Sequence, residues 1–196
     1  MSEPPVLLLD VMDTLVVDPF HRELPAFFGL TLPAYLAQKH PTLWLDFERG
    51  LCSEADFLDG LFRDRRRFDH DAFIACVQGA YRWVEGMEPL LIALTARGVA
   101  LHALSNYPVW YLRIEKELRL SRYLRWSGVS CITGLRKPDE AAFLTAAAAA
   151  GRPPSGCLLV DDREANCVAA RAVGMDAVRF EGAGPLRAVL EARGVL

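Results

Sequence analysis

The sequence predicts an α/β protein: a Rossmann-like, doubly wound parallel sheet with a small helical segment inserted after the first strand. Three observations support this prediction. Short runs that are apolar on both faces recur along the chain, as is typical of parallel strands covered by helices on both sides. Helical patterns alternate with these runs. One stretch of about 60 residues interrupts the alternation and contains no convincing strand.

Each element follows from local sequence. The apolar runs predict five strands, at Val6–Leu9, Val99–Leu104, Gly128–Ile132, Cys157–Val160 and Ala177–Phe180. The helical patterns predict helices at Glu88–Arg97, Pro108–Leu118, Asp139–Gly151, Ala165–Gly174 and Pro185–Arg193. Pro138 is placed where the first turn of a helix tolerates proline, and Gly98 stands where a helix commonly ends.

The interrupting stretch, from about Pro19 to Arg82, has apolar residues at helical spacing, and Asp69–Trp83 is a candidate helix within it. A structureless loop of this length is improbable in a compact protein. We therefore expect two domains. Residues 1–18 and 84–196 form the core domain, and residues 19–83 form a small helical domain.

Composition excludes several classes of function. The chain has 196 residues, is 52% hydrophobic and carries a net charge of −3, so we expect no nucleic acid partner. No apolar run approaches the ~20 residues of a membrane span, and the acidic N-terminus is unlike a signal peptide. The five cysteines are odd in number and scattered, which favours reduced thiols in a cytoplasmic protein. The sequence does not determine the oligomeric state.

Polar side chains follow the predicted strands, where the carboxyl ends of an open parallel sheet bind ligands. An Asp after a strand is often only a helix N-cap, but so many polar residues at one edge predict a shared site. The residues are Asp10 after the first strand, Ser105 and Asn106 after the second, Lys137 near the third, and Asp161, Asp162 and Asn166 after the fourth. The lysine is notable because the chain has only three lysines, Lys39, Lys116 and Lys137.

The residue types in this set indicate a particular chemistry. Several carboxylates near one point repel one another unless a divalent cation neutralises them. Mg²⁺ prefers carboxylate and carbonyl oxygens and also takes phosphate oxygens. A lysine and a hydroxyl group could bind a phosphoryl group, and a carboxylate in line with phosphorus could act as nucleophile and form an aspartyl-phosphate.

Four segments in order, LLLDVMDTL, HALSN, RKPD and VDDREAN, resemble the four motifs of the haloacid dehalogenase-like (HAD) hydrolase superfamily. They span about 130 residues, all but the insertion. The resemblance implies that the insertion is a helical cap of the family's first type, which closes over the site and supplies specificity.

The resemblance also implies roles for individual residues. Asp10 is the expected nucleophile, Ser105 and Asn106 are expected to contact the phosphoryl group, and Lys137 is expected to steady both the nucleophile and the transferred group.

For the metal, the resemblance implies that Mg²⁺ is held by Asp10, by the backbone carbonyl of Met12 and by Asp162. Asp161 is expected to support the metal site, and Asn166 is expected to lie nearby. The expected substrate is a small phosphorylated metabolite.

Met12 is a departure from the family pattern. Phosphatases of this family usually have a second Asp at this position, which protonates the leaving group and later activates water. A thioether cannot transfer a proton, and general acid–base help is typically worth about 10²–10⁴-fold in rate. The chain could be a slow enzyme, could prefer a good leaving group, or could use a substitute such as Asp13. It could also be an inactive relative that binds a phosphorylated ligand or a protein.

The dehalogenase branch of the family is a third reading, because it also lacks the second Asp. Its members use no metal, since a halide leaves without a proton. They do not usually keep a pair of acids such as Asp161 and Asp162, so carbon–halogen cleavage is the weaker enzyme hypothesis.

A narrower likeness bears on the substrate. The segments DVMDTLVVDPF, PAFFG, KHP, W-x-x-FE-x-G and SNYPVWY are similar to flavin mononucleotide hydrolases of plant chloroplasts and their bacterial relatives. This likeness implies that Met at position 12 marks a subgroup of enzymes. A flavin ring needs a flat apolar slot. The aromatic candidates for such a slot are Phe20, His21, Trp44, Tyr107 and Trp110, although core packing is the favoured role for Trp44 and Trp110.

Overall fold

The protein is described by a computed structural model that covers residues 4–196. Residues 1–3 lie outside the described residues. They belong to the predicted core segment 1–18 and to the N-terminal stretch that was compared with a signal peptide. The sheet has five strands, all parallel, in the order β3-β2-β1-β4-β5. Their bounds are Val6–Leu9 (β1), Leu101–Ser105 (β2), Arg125–Val129 (β3), Cys157–Asp161 (β4) and Asp176–Arg179 (β5).

Helices cover both faces of this sheet. The helices of the core are Met87–Ala96 (α6), Tyr111–Leu118 (α7), Ser130–Thr133 (α8), Glu140–Ala149 (α9), Glu164–Ala172 (α10) and Ala183–Ala192 (α11). Alternate residues of β1 join two separate apolar clusters: Leu7 and Leu9 pack on one face, and Leu8 packs with Phe143 and Cys167 on the other. The predicted α/β fold is therefore confirmed.

The segment that follows β1 is helical, as the sequence predicts. After a short turn at Pro19–His21 it contains Glu23–Phe27 (α1), Leu32–Gln38 (α2), Leu43–Glu48 (α3), Glu54–Asp59 (α4) and His70–Ala80 (α5). We call residues 19–83 the helical insertion. Its interior is aromatic: the ring of Phe28 lies 4.7 Å from that of Phe62 and 5.1 Å from that of Phe68, edge to face. Within it, Lys39 and Phe62 form only an isolated β-bridge.

The two ends of the helical insertion leave the core side by side. Val17 donates to the carbonyl oxygen of Arg82 at 2.9 Å, and Val84 donates to that of Leu15 at 2.8 Å. This pairing holds the insertion beside the carboxyl end of β1. No helix within residues 4–196 is long and apolar enough to cross a membrane.

Some predicted boundaries are wrong. Strand β3 spans Arg125–Val129, whereas the predicted strand began at Gly128. The prediction missed its start because β3 is an edge strand whose first residue is exposed, so its sequence is not a continuous apolar run. Its predicted end, around Ile132, is helical in α8. Helix α5 ends at Ala80 because Tyr81 has extended backbone angles. Pro138 precedes the N-cap of α9 and is not in its first turn.

Candidate active site

The candidate site lies at the carboxyl ends of three adjacent strands, β2, β1 and β4. Asp10 follows the last residue of β1, while Ser105 and Asp161 are the last residues of β2 and β4, the two neighbours of β1. All three residues are buried, with 8%, 1% and 0% of their surface exposed. Parallel strands end at the same edge of a sheet, so residues about 150 positions apart in sequence meet there.

The carboxylates of Asp10, Asp161 and Asp162 form one cluster, in which one oxygen of each lies within 4.8 Å of the others. Lys137 lies among them and is itself buried. Its Nζ donates to Oδ1 of Asp10 at 2.8 Å and to Oδ2 of Asp161 at 2.5 Å. The juxtaposition that the sequence predicted is therefore present.

Asp161 is saturated with hydrogen bonds. Besides Lys137, it accepts from the side-chain amide of Asn166 at 2.9 and 3.0 Å and from the backbone N–H of Arg163 at 2.9 Å. Such a carboxylate is held in one orientation and in turn orients the lysine. Asn166 therefore lies beside the site, as expected, while support of a metal by Asp161 stays a prediction.

The cluster carries an excess of negative charge, since three carboxylates face one ammonium group. The pKa of Asp10 is raised from its usual 3.8 to about 7, because the raising effects of burial, Asp161 and Asp162 outweigh the lowering effect of Lys137. Burial also raises the pKa of Asp162, again with a contribution from Asp161. Burial alone would lower the pKa of Lys137, but the two carboxylates outweigh it and raise the pKa. Hard oxygen donors with this excess charge fit a divalent cation.

A cavity of about 240 Å³ opens beside the cluster. Its floor is formed by Asp10, Ser105, Lys137 and Asp162, together with Met12. The hydroxyl oxygen of Ser105 is buried and, within residues 4–196, has no hydrogen-bond partner. Buried hydroxyl groups are almost always paired, so this oxygen indicates a ligand that accepts or donates a hydrogen bond at the cavity floor.

Asn106 also lines the cavity, but its side chain is occupied. Its Nδ2 donates to the carbonyl oxygen of Lys137 at 2.8 Å, and its Oδ1 accepts from the backbone N–H of Lys137 at 2.8 Å. This reciprocal pair fixes the loop that carries the lysine. Contact of Asn106 with a substrate stays a prediction.

Met12 and Asp13 lie in the tight turn after β1. Met12 is half-buried and lines the cavity, and Asp13 has a left-handed backbone (φ +54°). The carboxylate of Asp13 accepts from the backbone N–H of Asp18 at 3.0 Å, which stabilises the turn. A catalytic role for Asp13 stays a prediction.

The helical insertion supplies much of the upper wall of the cavity. Phe20 and Trp44 have ring centroids 6.1 Å apart, and Trp44 lies 6.0 Å from the ring of Tyr107. Trp110, the remaining tryptophan candidate, is 1% exposed and is not part of the wall; it packs against Phe47 and Phe57 and donates to Glu54.

Charged side chains complete this wall, and sequence reasoning did not find them. Glu48, on α3, is 3% exposed and accepts from Nε of Arg136 at 2.8 Å and from the indole N–H of Trp44. Arg136, Arg163 and Asp18 also line the cavity. Arg136 and Arg163 could have been predicted, because each is adjacent in sequence to a predicted site residue. Glu48 and Asp18 have no such neighbour, and they reach the cavity only through the packing of the insertion.

A protein-family model for haloacid dehalogenase-like hydrolases matches residues 7–174, which is most of the chain. This chain belongs to the haloacid dehalogenase-like hydrolases. It is therefore an enzyme of the hydrolase class. The expectation drawn from its four ordered motifs is confirmed.

Individual relatives agree with the family assignment. The chain is 42% identical over 191 residues to the chloroplast protein flavin mononucleotide hydrolase 1 of Arabidopsis thaliana, covering 97% of this chain and 78% of the plant protein. It is 30% identical over 94 residues to a probable phosphoglycolate phosphatase of Pseudomonas putida, covering 47% of this chain and 38% of that one.

Solved structures show the same fold. A predicted HAD-like family hydrolase from Porphyromonas gingivalis superposes with a TM-score of 0.78 at 20% identity, covering 98% of both chains. A HAD family enzyme of Bacteroides thetaiotaomicron, solved as a complex with magnesium and inorganic phosphate, superposes with a TM-score of 0.75 at 18% identity, covering 92% of this chain and 96% of that one.

Proposed function

We propose that this HAD-like hydrolase is a Mg²⁺-dependent phosphomonoesterase that works through an aspartyl-phosphate on Asp10. This proposal rests on the cluster of Asp10, Asp161, Asp162 and Lys137. The cluster lies beside a cavity that is also lined by Ser105, whose buried hydroxyl group has no partner among the described residues. The magnesium and phosphate in the Bacteroides relative are consistent with this chemistry.

In this mechanism Lys137 holds Oδ1 of Asp10, which leaves Oδ2 to attack phosphorus. The Ser105 hydroxyl donates to a phosphoryl oxygen, and the ammonium group of Lys137 balances charge on the same group as the bond to the leaving oxygen breaks. Water then releases phosphate from Asp10. Bound by Asp10, the carbonyl of Met12 and Asp162, Mg²⁺ would neutralise the carboxylates and the phosphoryl charge.

We further propose flavin mononucleotide as the substrate. Support comes from the plant relative, which is 42% identical across nearly the whole chain. The upper wall supplies a matching surface, because Phe20 and Trp44 can pack on a flat ring while Arg136 and Arg163 can bind its polar edge. In this proposal residues 19–83 are the cap, and residues 1–18 and 84–196 are the catalytic core. The absence of disulfides among the five cysteines supports a reducing, cytoplasmic location.

The decisive experiment is release of inorganic phosphate from flavin mononucleotide with Mg²⁺ and with a chelator. We expect activity that needs Mg²⁺ and disappears in Asp10→Asn, whereas the matched surface variant Asp71→Asn, in α5, retains it. Activity that survives Asp10→Asn would show that the nucleophile is wrongly assigned.

Met12 supports a second candidate function, in which the chain binds a phosphorylated ligand and barely turns it over. Tight binding of flavin mononucleotide in calorimetry, with no phosphate released from a panel of phosphomonoesters, would favour it. Halide release from a 2-haloacid in chelator would instead indicate the dehalogenase chemistry.

A further inference from the structure

The proposed hydrolysis needs a proton for the leaving oxygen, and Met12 cannot supply one. The carboxyl groups that line the cavity belong to Asp10, Asp13, Asp18, Glu48 and Asp162. Asp10 and Asp162 belong to the cluster at the floor, and Glu48 is bound to Arg136. Asp13 accepts the backbone N–H of Asp18. Asp18 likewise accepts one backbone N–H, from Phe20, but its side chain is the less exposed of the two, so Asp18 is the candidate.

We propose that Asp18, beside His21, is the general acid and base of this enzyme, replacing the carboxylate that Met12 lacks. The inference rests on the proposed phosphomonoesterase function. It assigns the proton transfer to the last residue of the core segment 1–18, directly before the helical insertion.

The position of Asp18 suits this role. Its Oδ1 accepts from the backbone N–H of Phe20 at 2.9 Å, as the N-cap of the turn Pro19–His21. Its Oδ2 has no hydrogen bond to any of residues 4–196. One oxygen is therefore fixed while the other can carry a proton at the cavity wall. A carboxylate oxygen of Asp18 also lies within 4.8 Å of a ring nitrogen of His21.

The surroundings of Asp18 keep its proton exchangeable near neutral pH. The pKa of Asp18 is raised from 3.8 to about 6, because the raising effects of burial and Asp13 outweigh the opposing effects of the Phe20 N–H, His21 and Arg163. The hydroxyl groups of Tyr81 and Tyr107 also interact electrostatically with Asp18; they bond to each other at 2.9 Å, and the pKa of each is raised mainly by burial. A carboxyl group with this pKa can donate and accept at the same pH.

Asp18 alone can transfer the proton in both steps of the reaction. As Asp10 attacks phosphorus and the ester P–O bond breaks, protonated Asp18 gives its proton to the departing oxygen, which leaves as an alcohol. Ionised Asp18 then takes a proton from water while the water oxygen bonds to phosphorus and the bond to Asp10 breaks. Asp18 is protonated again, and the net reaction is ester plus water to alcohol plus phosphate.

Rapid-mixing kinetics of Asp18→Asn on two substrates test the inference. Asn keeps an oxygen for the Phe20 N–H, so we expect the fold to be retained. The alkyl ester flavin mononucleotide needs the acid, and its first turnover should slow by about 10²–10⁴-fold. With p-nitrophenyl phosphate, whose leaving group needs no proton, we expect a burst of p-nitrophenol at close to the wild-type rate, followed by slow turnover as the aspartyl-phosphate accumulates. Asp71→Asn should match wild type on both substrates.

Two further results bear on the inference. Adding Met12→Asp to the Asp18→Asn variant should restore much of the activity on flavin mononucleotide, because a carboxylate then occupies the position used in related phosphatases. Equal slowing of the two bursts, or no slowing of either, would overturn the role of Asp18 and leave the nucleophile Asp10 in place. Wild-type protein that hydrolyses neither ester with Mg²⁺ would overturn the phosphomonoesterase itself and this inference with it.

Discussion

Ser105 carries a buried hydroxyl group that has no partner among the described residues. An unsatisfied buried polar group costs about 1–3 kcal/mol, so Ser105→Ala should leave the free protein as stable or more stable. The same change should lower kcat/KM for flavin mononucleotide at least about tenfold, because a phosphoryl contact is lost. Thermal melts and phosphate release measure the two effects. Ser127, whose hydroxyl is bonded to His102 at 2.8 Å, is the matched control. Ser127→Ala should lose stability and keep activity.

Asp10 gives a second prediction, about stability and pH without metal. Its pKa is raised to about 7, so between about pH 4 and pH 7 the folded state binds more protons than the unfolded state, and stability falls as pH rises. Asp10→Asn cannot ionise. Its melting temperature should therefore exceed that of wild type by several degrees at pH 8, and the two should converge near pH 4. Melts in chelator across this range measure it, and a variant that melts lower at pH 8 would contradict the raised pKa.

The site residues differ in how far the sequence could predict them. Asp10, Ser105 and Asp161 could be predicted because each ends or directly follows a buried strand, and parallel strands place such residues together. Lys137 was accessible through its motif, and the loop that carries it is held by Asn106. Asp18 was not predicted, because its place depends on how the insertion folds back over the sheet. No local pattern encodes that packing.

At the scale of elements, the sequence predicts the buried central strands more accurately than the edge strand β3. The central strands β1, β2 and β4 are buried on both faces and appear in sequence as continuous apolar runs. The edge strand β3 begins with exposed Arg125 and half-buried Trp126, so the pattern placed it three residues too late. Edge strands have one neighbour and less burial, and their sequences are accordingly less distinctive.

Helix α3 gives a prediction about specificity. It carries Trp44, which packs between Phe20 and Tyr107 on the upper wall of the cavity. Trp44→Leu removes aromatic surface that only a large substrate contacts, so we expect KM for flavin mononucleotide to rise about tenfold while kcat/KM for p-nitrophenyl phosphate changes little. Trp126→Leu, on β3 and outside the cavity, is the control. Equal losses on both substrates would indicate that Trp44 only stabilises the fold.

Helix α3 is also attached to the core by an ion pair between buried Glu48 and partly exposed Arg136. Glu48 accepts from Arg136 and holds Trp44 in the same place. Removing one member of a fully buried pair typically costs about 3–5 kcal/mol, because the other charge is left unpaired; the side chain of Arg136 is 25% exposed, so water offsets part of this cost. Glu48→Ala should therefore lower the melting temperature strongly, whereas Glu48→Ala combined with Arg136→Met should recover part of the loss. Arg136→Met alone completes the cycle, and single-variant losses that simply add in the double variant would show that the pair contributes no coupling.

At the scale of the whole molecule, one apolar cluster joins the sheet to the helical insertion, with Leu9 of β1 and Phe47 of α3 in the same core. The two parts should therefore unfold together, and a ligand at the strand ends should stabilise both. The candidate metal ligands Asp10 and Asp162 lie at these ends, and their repulsion costs stability when no cation is bound.

Mg²⁺ should consequently raise the melting temperature of the entire chain in one transition. At a concentration of about 100 times Kd the gain is about 2.7 kcal/mol, and a protein of this length melts roughly 2–4 °C higher per kcal/mol. Because protons compete with the metal for Asp10, whose pKa lies at about 7, the gain should be larger at pH 8 than at pH 6. Asp162→Asn should abolish most of it, and Asp71→Asn should not. A Mg²⁺ effect that is the same at both pH values, or that persists in Asp162→Asn, would place the cation elsewhere on the molecule.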